Sequence, residues 1–198
     1  MNKLVIATNN VGKVKEYKTF LTPLGFEIAT LKDFPPIKIE ENGTTFEENA
    51  TIKASTVMME LGLPVLADDS GLVVDALNDE PGIHSARYAG DHNDVANRKK
   101  LLTKLQNIPY EKRTAHFHTT IVAIKPNGQK LIANGRVNGH IRNTERGSNG
   151  FGYDPLFYVD ALGCSMAELS PNQKNKISHR GNALKSFIKN FDKWWYSK

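Results

Sequence analysis

The chain has 198 residues, with 26 lysines and arginines against 21 aspartates and glutamates, a formal net charge of +5. This length predicts one domain, residues 1–198, whose core is stable without cross-links, and the single cysteine, Cys164, excludes an internal disulfide. No apolar run approaches the ~18 residues of a membrane span, and no signal-peptide pattern precedes the first predicted strand. We therefore expect a cytoplasmic protein without a membrane partner. The excess of basic residues is explained either by an ordinary surplus of lysine in a soluble protein or by a phosphate-bearing partner, and it does not separate a mononucleotide from a nucleic acid.

The first half of the chain predicts alternating strands and helices. Apolar residues spaced by three, four and seven positions indicate helices, and short apolar runs indicate buried strands. Glutamates three residues after Thr44 and Thr45 form the pattern of a capping box. The predicted elements are a strand at 4–7, a helix ending at Gly25, a proline-rich loop at 32–43, a helix from Thr44 or Thr45 to about Leu61, and strands at 65–67 and 72–76 around a polar break at 68–71.

The second half predicts a helix, a long hairpin and a final helix. The helix covers about 93–105, and the hairpin joins residues 115–124 and 130–141 through the turn Pro126-Asn127-Gly128. A glycine-rich loop at 147–152, a strand at 156–159 and a last helix from near Ser178 follow. Because strands and helices alternate and the hairpin adds antiparallel pairing, we predict an α/β fold with a mixed sheet.

Two features near the N-terminus suit a phosphate ligand. Residues 8–13 lie between a strand and a helix, where unpaired helix N–H groups bind anions; the simpler interpretation is N-capping. Lys53 shares the apolar stripe of the second helix with Asn49. A lysine on an inward face is costly unless its charge is paired, so Lys53 either contacts a phosphate or carboxylate or extends its charge to solvent from the edge of the stripe.

Acidic residues follow the strand at 65–67. A carboxylate at the end of a strand, here Asp68 or Asp69, is suited to holding magnesium or to activating water. The alternative interpretation is a tight turn, since Asp, Ser and Gly all favour turns. Glu40 and Glu41, at the end of the proline-rich loop, are further candidate carboxylates.

Two segments near the C-terminus suit recognition of a base. In the glycine-rich loop, Phe151 could stack on a base and Asp154 could accept from its ring N–H, or the aromatic residues could pack in the core. His179 and Arg180 at the start of the last helix supply donors, and arginine gives planar, bidentate donation; otherwise Ser178 caps the helix and Arg180 is exposed. The histidine spacing matches no zinc motif.

In order and spacing, five segments resemble signature motifs of the inosine triphosphate pyrophosphatase family, the XTP/dITP diphosphatases. The resemblance covers nearly the whole chain, and one departure is Asn9, where some members carry glycine. The segments are Thr-Phe-Glu-Glu-Asn-Ala at 45–50, Ala-Asp-Asp-Ser-Gly-Leu at 67–72, Pro-Gly-Ile-His-Ser-Ala-Arg-Tyr at 81–88, Gly-Phe-Gly-Tyr-Asp-Pro at 150–155 and Ser-His-Arg-Gly at 178–181. The local patterns alone predict only a generic phosphate-binding protein.

The resemblance implies a magnesium-dependent hydrolase that converts ITP, dITP and XTP to the monophosphate and pyrophosphate. It implies a long central mixed sheet flanked by helices, two lobes around a substrate cleft, and a homodimer. Asp69 is implied as general base and metal ligand, and Glu40 as second metal ligand, with Glu41 as the alternative. The implied substrate-binding residues are Thr8, Asn9, Asn10, Val11, Gly12, Lys13, Lys53, Ser70, Phe151, Gly152, Tyr153, Asp154, Lys174, His179 and Arg180.

Two competing hypotheses remain at this point. One is a related pyrophosphatase that prefers pyrimidine or modified nucleotides. The other is a nucleic-acid-binding protein without enzymatic activity, suggested by the net charge of +5. The basic residues are scattered and no stacked-aromatic RNA motif is present, so we expect no nucleic-acid partner. Attack of water on the α- or the β-phosphorus gives the same products, and the sequence favours neither.

Overall fold

The computed structural model describes residues 3–91 and 93–196. Over these residues the strands are β1 (Lys3–Ile6), β2 (Glu27–Thr30), β3 (Val65–Val74), β4 (Thr114–Ile124), β5 (Lys130–Ile141), β6 (Phe157–Val159) and β7 (Cys164–Ser165). The α-helices are α1 (Val11–Leu21), α2 (Phe46–Leu61), α3 (Asp94–Leu105), α4 (Pro171–Ile177) and α5 (His179–Tyr196). None of the helices in these residues is long and apolar enough to cross a membrane.

The strands form one mixed sheet in the order β2-β1-β3-β4-β5-β6-β7. β1 pairs in parallel with both β2 and β3, whereas β6 pairs antiparallel with β5 and β7. Strands joined through helices can run parallel, and strands joined by short connections run antiparallel. The predicted α/β class with a mixed sheet is therefore confirmed.

The first of two compact units comprises residues 3–69, 119–135 and 182–196. β1 is buried on both faces, as its uninterrupted apolar sequence predicts. Leu4 and Ile6 belong to one apolar cluster with residues of α1 and α5, including Trp194, and Trp195 packs against this cluster. The intervening Val5 belongs to a second cluster with residues of α2. Alternation along one strand thus anchors helices on both faces of the sheet in this unit.

The second unit comprises residues 70–91, 93–118 and 136–181. It has a single apolar cluster, to which α3 contributes Leu101 and Leu105 and the strands contribute Leu72, Phe117 and Phe157. Cys164, the lone cysteine, packs at the edge of this cluster and is half-buried. The N-terminal turn of α3 contacts the glycine-rich loop described below.

Most predicted elements agree with the structure, and one prediction is wrong. The predicted polar break at 68–71 is absent, because β3 continues without interruption from Val65 to Val74. Asp68 remains in the strand because Lys13 Nζ and Thr119 Oγ1 lie within hydrogen-bonding distance of its carboxylate. The sequence analysis also missed β2, β7 and α4. Ser178 separates α4 from α5 and has extended backbone angles, so the last helical region is two helices.

Candidate active site

Residues 8–10 lie between β1 and α1, and residues 11–13 form the first turn of the helix. Asn10 caps α1 by accepting the N–H of Lys13 at 3.1 Å, and Thr8 Oγ1 accepts the N–H of Asn10 at 3.2 Å. The N-capping interpretation is therefore correct for Asn10. Asn9 and Val11 are exposed and Gly12 is half-buried. The segment is a turn fixed by its own side chains, beside the positive end of the α1 dipole.

Two lysines and two acidic residues form an ion cluster in the first unit. Lys13 Nζ lies 2.8 Å from Asp68 Oδ2. Lys53 Nζ lies 2.9 Å from Glu41 Oε2 and donates to the Asp68 backbone oxygen at 3.1 Å. The side chain of Lys53 is only 11% exposed. The cost of burying its charge on the apolar stripe is therefore offset by ionic pairing and not by contact with solvent.

The pKa of Asp69 lies well above its ordinary value. Burial raises the pKa to about 6, against the opposing effect of Lys53 and Lys13, and the negative charges of Asp68 and Glu41 raise it further. Asn49 donates from Nδ2 to Asp69 Oδ2 at 3.3 Å and accepts the Gly43 N–H at 2.9 Å. A carboxylate with a pKa near neutrality is suited to accepting a proton from water.

The structure brings Glu41, and not Glu40, to the ion cluster. Glu40 pairs with Lys38 at 2.5 Å, and the side chains are 68% and 85% exposed. Glu41 is 33% exposed and contacts Lys53. Neighbouring side chains in a non-helical segment point in different directions, so only one of the two glutamates can face the lysine. Glu41, the alternative left open by the sequence, is therefore the glutamate whose charge acts on Asp69.

In the second unit, Asp154 organises the glycine-rich loop. Its Oδ2 accepts from Lys174 Nζ at 2.6 Å and from the Phe151 N–H at 2.9 Å, and both charged side chains are buried. Gly150 has φ +79°, and a Cβ there would lie 2.0 Å from Asp154 Oδ2. Only glycine fits at this position. This carboxylate oxygen is thus engaged within the protein, rather than facing outward as a base acceptor.

The aromatic ring of Phe151 contacts two cations. Lys174 Nζ lies 4.7 Å from the ring centroid and Arg180 Cζ lies 5.3 Å from it. Arg180 is 2% exposed and donates from Nη1 to Ser70 Oγ at 3.3 Å. The alternative of an exposed Arg180 is therefore wrong, although Ser178 does cap α5 by accepting the Gly181 N–H. The half-buried Phe151, together with its two cations, can offer a ring face and planar donors to a ligand.

The other predicted site residues of this unit have structural contacts. His179 is buried and stacks on Phe117, with centroids 4.8 Å apart and planes at 15°. Tyr153 is buried in the apolar cluster of this unit, and its hydroxyl donates to the Ser85 backbone oxygen at 2.9 Å. The alternative that the aromatic residues of the loop pack in the core is therefore correct for Tyr153 but not for Phe151.

Comparison with known proteins places the chain in a family. The model of the Ham1 family matches residues 4–190. The chain belongs to the Ham1 family. The dITP/XTP pyrophosphatase of Lactiplantibacillus plantarum is 56% identical over 193 residues, which cover 97% of this chain and 96% of that protein. That of Geobacter sulfurreducens is 51% identical over 186 residues, covering 93% and 94%.

Solved Ham1 structures share the fold. The Ham1 protein of Staphylococcus aureus has a TM-score of 0.89 at 43% identity, covering 97% of this chain and 99% of that chain. A HAM1 protein from Coxiella burnetii has a TM-score of 0.90 at 41% identity, covering 98% and 100%. The family resemblance read from the five sequence motifs is therefore confirmed.

The donor chemistry of this Ham1 chain fits a hard divalent cation. Asp69 and Glu41 offer carboxylate oxygens, the ligands that Mg²⁺ prefers, and Mg²⁺ usually takes one or two carboxylates together with substrate phosphates and water. In residues 3–91 and 93–196 no three His, Cys, Asp or Glu side chains are grouped so that they could hold a metal ion. A site of two carboxylates completed by phosphate is consistent with both observations.

Sequence reasoning missed three residues that support the site of this Ham1 chain. Asn49 contacts Asp69, and it was noted in the sequence only for its place on the helix stripe. Asp94 and Arg98 of α3 contact the backbone of Gly152. The only signal for this pair is their spacing of four residues, which places them on one helix face, and that spacing is too common to indicate a site.

Proposed function

We propose that this chain hydrolyses dITP, XTP and ITP to the corresponding monophosphate and pyrophosphate. The observation that carries the proposal is Asp69, a buried carboxylate with a pKa raised to about 6 near Lys13 and Lys53. Relatives named dITP/XTP pyrophosphatase, 56% and 51% identical over nearly their full length, support the same reaction.

Lys13 and Lys53 bind the triphosphate in this proposal. Both form ion pairs with carboxylates, Lys13 with Asp68 and Lys53 with Glu41. Their ammonium groups are thus oriented before a ligand arrives, and preorganised charges stabilise a developing negative charge without reorganisation. The N-terminus of α1 adds the positive end of its dipole to the same task.

Asp69 acts as the general base. It accepts a proton from the water whose oxygen attacks phosphorus, and the bond from phosphorus to the bridging oxygen breaks to release pyrophosphate. Asn49 holds the carboxylate in one orientation through Oδ2. Magnesium held by Asp69 and Glu41 would neutralise phosphate charge and polarise the phosphoryl group. At pH 7, above the raised pKa, most Asp69 side chains are ionised and able to take the proton.

Arg180, Lys174 and Phe151 recognise the purine in this proposal. Guanidinium and ammonium groups only donate hydrogen bonds, so they pair with a 6-keto oxygen and not with the amino group of adenine. Phe151 supplies a ring face for stacking. A site that pairs with one polar group can reject a substrate lacking that group by ~10⁴-fold.

A panel of triphosphates tests the proposal. Purified protein is supplied with Mg²⁺ and with dITP, XTP, ITP, GTP, ATP or dTTP, and pyrophosphate release is measured. We expect efficient release from the first three and slow release from ATP and dTTP. Orthophosphate in place of pyrophosphate, or preference for dTTP, would contradict the proposal. We further propose a homodimer located in the cytoplasm, where the nucleotide pool is found; light scattering measures the assembly state.

A further inference from the structure

One turn of α3 holds both backbone groups of a single loop residue. Asp94 Oδ2 accepts the N–H of Gly152 at 2.7 Å, and Arg98 Nη1 donates to the carbonyl oxygen of the same residue at 2.9 Å. The two side chains are four positions apart and therefore lie on one face of the helix. An acceptor and a donor are thus spaced to bind the two polar groups of one residue.

The helix itself is well anchored at this end. Asn93 caps α3 by accepting the Ala96 N–H at 3.0 Å. Asn97 is buried and accepts the Ala89 N–H at 2.6 Å while donating to the Ala86 oxygen at 3.1 Å. Arg98 Nε also donates to Glu145 at 2.8 Å, which leaves the guanidinium bound on two sides. The contacts to Gly152 therefore start from an anchored helix turn, and the Arg98 side chain is also held by Glu145.

The backbone conformation of Gly152 affects the position of its neighbour Phe151. Gly152 directly follows Phe151 and has φ +61°, a conformation that side-chain-bearing residues rarely adopt. The N–H of Gly152 lies in the peptide shared with Phe151 and its carbonyl in the peptide shared with Tyr153, so fixing both groups limits rotation of the backbone at Gly152. The Phe151 ring then stays against Lys174 and Arg180, whose charged groups lie 4.7 Å and 5.3 Å from its centroid.

We propose that Asp94 and Arg98 are positioning residues that set the selectivity for keto purines by fixing Gly152 and, through it, Phe151. The inference rests on the proposed function, because that function uses Phe151 of the glycine-rich loop to recognise the purine. Neither residue contacts the base in this proposal. A displacement of about 1 Å at a binding group can cost about a hundredfold in rate, so loosening Gly152 affects the preferred purine most.

The test compares kcat/KM for XTP and ATP in four variants and the wild type. Asp94→Ala removes the acceptor and Arg98→Ala removes the donor. Asp94→Asn keeps an oxygen that can accept the Gly152 N–H. Lys99→Ala removes one positive charge from an exposed position on the same helix and is matched to Arg98→Ala in charge. The affinity for xanthosine monophosphate, measured by calorimetry, gives a readout besides turnover.

We expect the XTP to ATP ratio of kcat/KM to fall by about tenfold or more in Asp94→Ala and in Arg98→Ala. KM for XTP should rise more than kcat falls, and xanthosine monophosphate should bind more weakly. Asp94→Asn and Lys99→Ala should keep the wild-type ratio. The double Ala variant should lose less than the product of the single effects, because both side chains act on Gly152.

The outcomes separate this inference from the proposed function. If the wild type releases pyrophosphate from XTP but the ratio stays within about twofold in both Ala variants, the inference is wrong and the function stands. If the variants lose activity on both substrates by the same factor, with unchanged KM and a lower Tm, the two residues only stabilise the fold, and the inference is again wrong. If the wild type is inactive on XTP, dITP and ITP, both proposals are wrong.

Discussion

Asp69, the proposed general base, also makes the stability of the protein depend on pH. Its pKa is raised to about 6, mainly by burial, so the folded protein holds this proton more tightly than the unfolded chain does. The stability that Asp69 contributes is therefore present below its ordinary pKa of about 4 and is lost as pH rises through about 6. Asn at this position is neutral at every pH, and its contribution does not change.

We predict that Asp69→Asn loses about a hundredfold or more in kcat and gains stability relative to the wild type as pH rises. In metal-free buffer, the difference in unfolding free energy between variant and wild type should move in favour of the variant by about 2 kcal/mol from about pH 4.5 to about pH 7.5. Urea unfolding with EDTA at the two pH values measures this shift.

Asp192→Asn is the matched control for this prediction, because it makes the same change at an exposed position of α5. Its unfolding free energy should follow the wild type at both pH values. A constant difference between Asp69→Asn and the wild type would show that the carboxylate is better solvated than its burial implies. Normal turnover in Asp69→Asn would transfer the role of base to another group.

Substitution of Arg180 tests the proposed recognition of the base directly. It is 2% exposed and contacts Phe151 and Ser70. We predict that Arg180→Met, which keeps much of the volume but removes the donors, lowers the XTP to ATP ratio of kcat/KM by about ten- to a hundredfold, as expected for a lost charged hydrogen bond. Steady-state kinetics with both substrates at saturating Mg²⁺ measure the ratio.

Arg180→Lys separates charge from geometry in the same experiment. It keeps the positive charge but loses the planar, two-pronged donor, so the ratio should fall between those of the wild type and Arg180→Met. An equal loss on XTP and ATP in Arg180→Met would show that the side chain serves the phosphates or the core. Recognition of the 6-keto oxygen would then be assigned to Lys174 or to backbone N–H groups.

At the residue scale, the sequence identified the charged groups but not their pairing. Lys53 was placed correctly on an inward helix face, because periodicity depends only on local spacing. Its partner Glu41 lies in an irregular loop, where no period indicates which of two adjacent glutamates faces inward. Asn49 and Asp94 act through contacts to distant parts of the chain, so no local pattern could single them out.

Among the elements, α2 carries two of the supporting residues, Asn49 and Lys53. Its N-terminus is fixed by Thr45, whose Oγ1 accepts the Glu48 N–H at 3.1 Å. Glu48 in turn accepts from the N–H of Thr44 at 2.7 Å, and this contact lowers the pKa of Glu48. The capping pattern in the sequence therefore predicted the start of the helix correctly, within the choice between Thr44 and Thr45.

We predict that Thr45→Ala lowers the free energy of unfolding by about 1 kcal/mol, because it removes an N-cap. Thermal and urea unfolding measure the loss. Thr19→Ala makes the same change within α1, where the hydroxyl donates to the Lys15 oxygen at an exposed position. Alanine favours helix interiors, so this control should be neutral or slightly stabilising. Equal effects at the two sites would contradict the capping role of Thr45.

The error in β3 has a physical explanation at the scale of elements. Asp, Asp, Ser and Gly in sequence are typical of a turn, and local propensity cannot anticipate that Lys13, 55 residues away, pairs with Asp68. Because the charge of Asp68 is paired within the protein, the chain does not have to turn at this point to bring the carboxylate into solvent. α4 was missed for a different reason: Ser170 caps it and Pro171 begins it, but seven residues are too few to show a period.

For the whole molecule, local patterns predicted the class of fold but not the order of the strands. The apolar run of β1 indicated burial on both faces, yet nothing in it indicates that β2 and β3 are its neighbours. The two compact units are each assembled from separate stretches of chain. Sequence spacing reports on contacts within a helix or a hairpin, and only the resemblance to a known family supplied the long-range arrangement.

The two units differ in the residues that can report on their unfolding. Both tryptophans lie in α5 of the first unit, and the single cysteine lies in the second. Tryptophan emission therefore follows the unfolding of the first unit, whereas a maleimide dye on Cys164 follows that of the second. Burial raises the pKa of this thiol, so the dye couples more readily in mildly alkaline buffer. The unfolding of each unit can thus be monitored separately in a single denaturation experiment, without any change to the sequence.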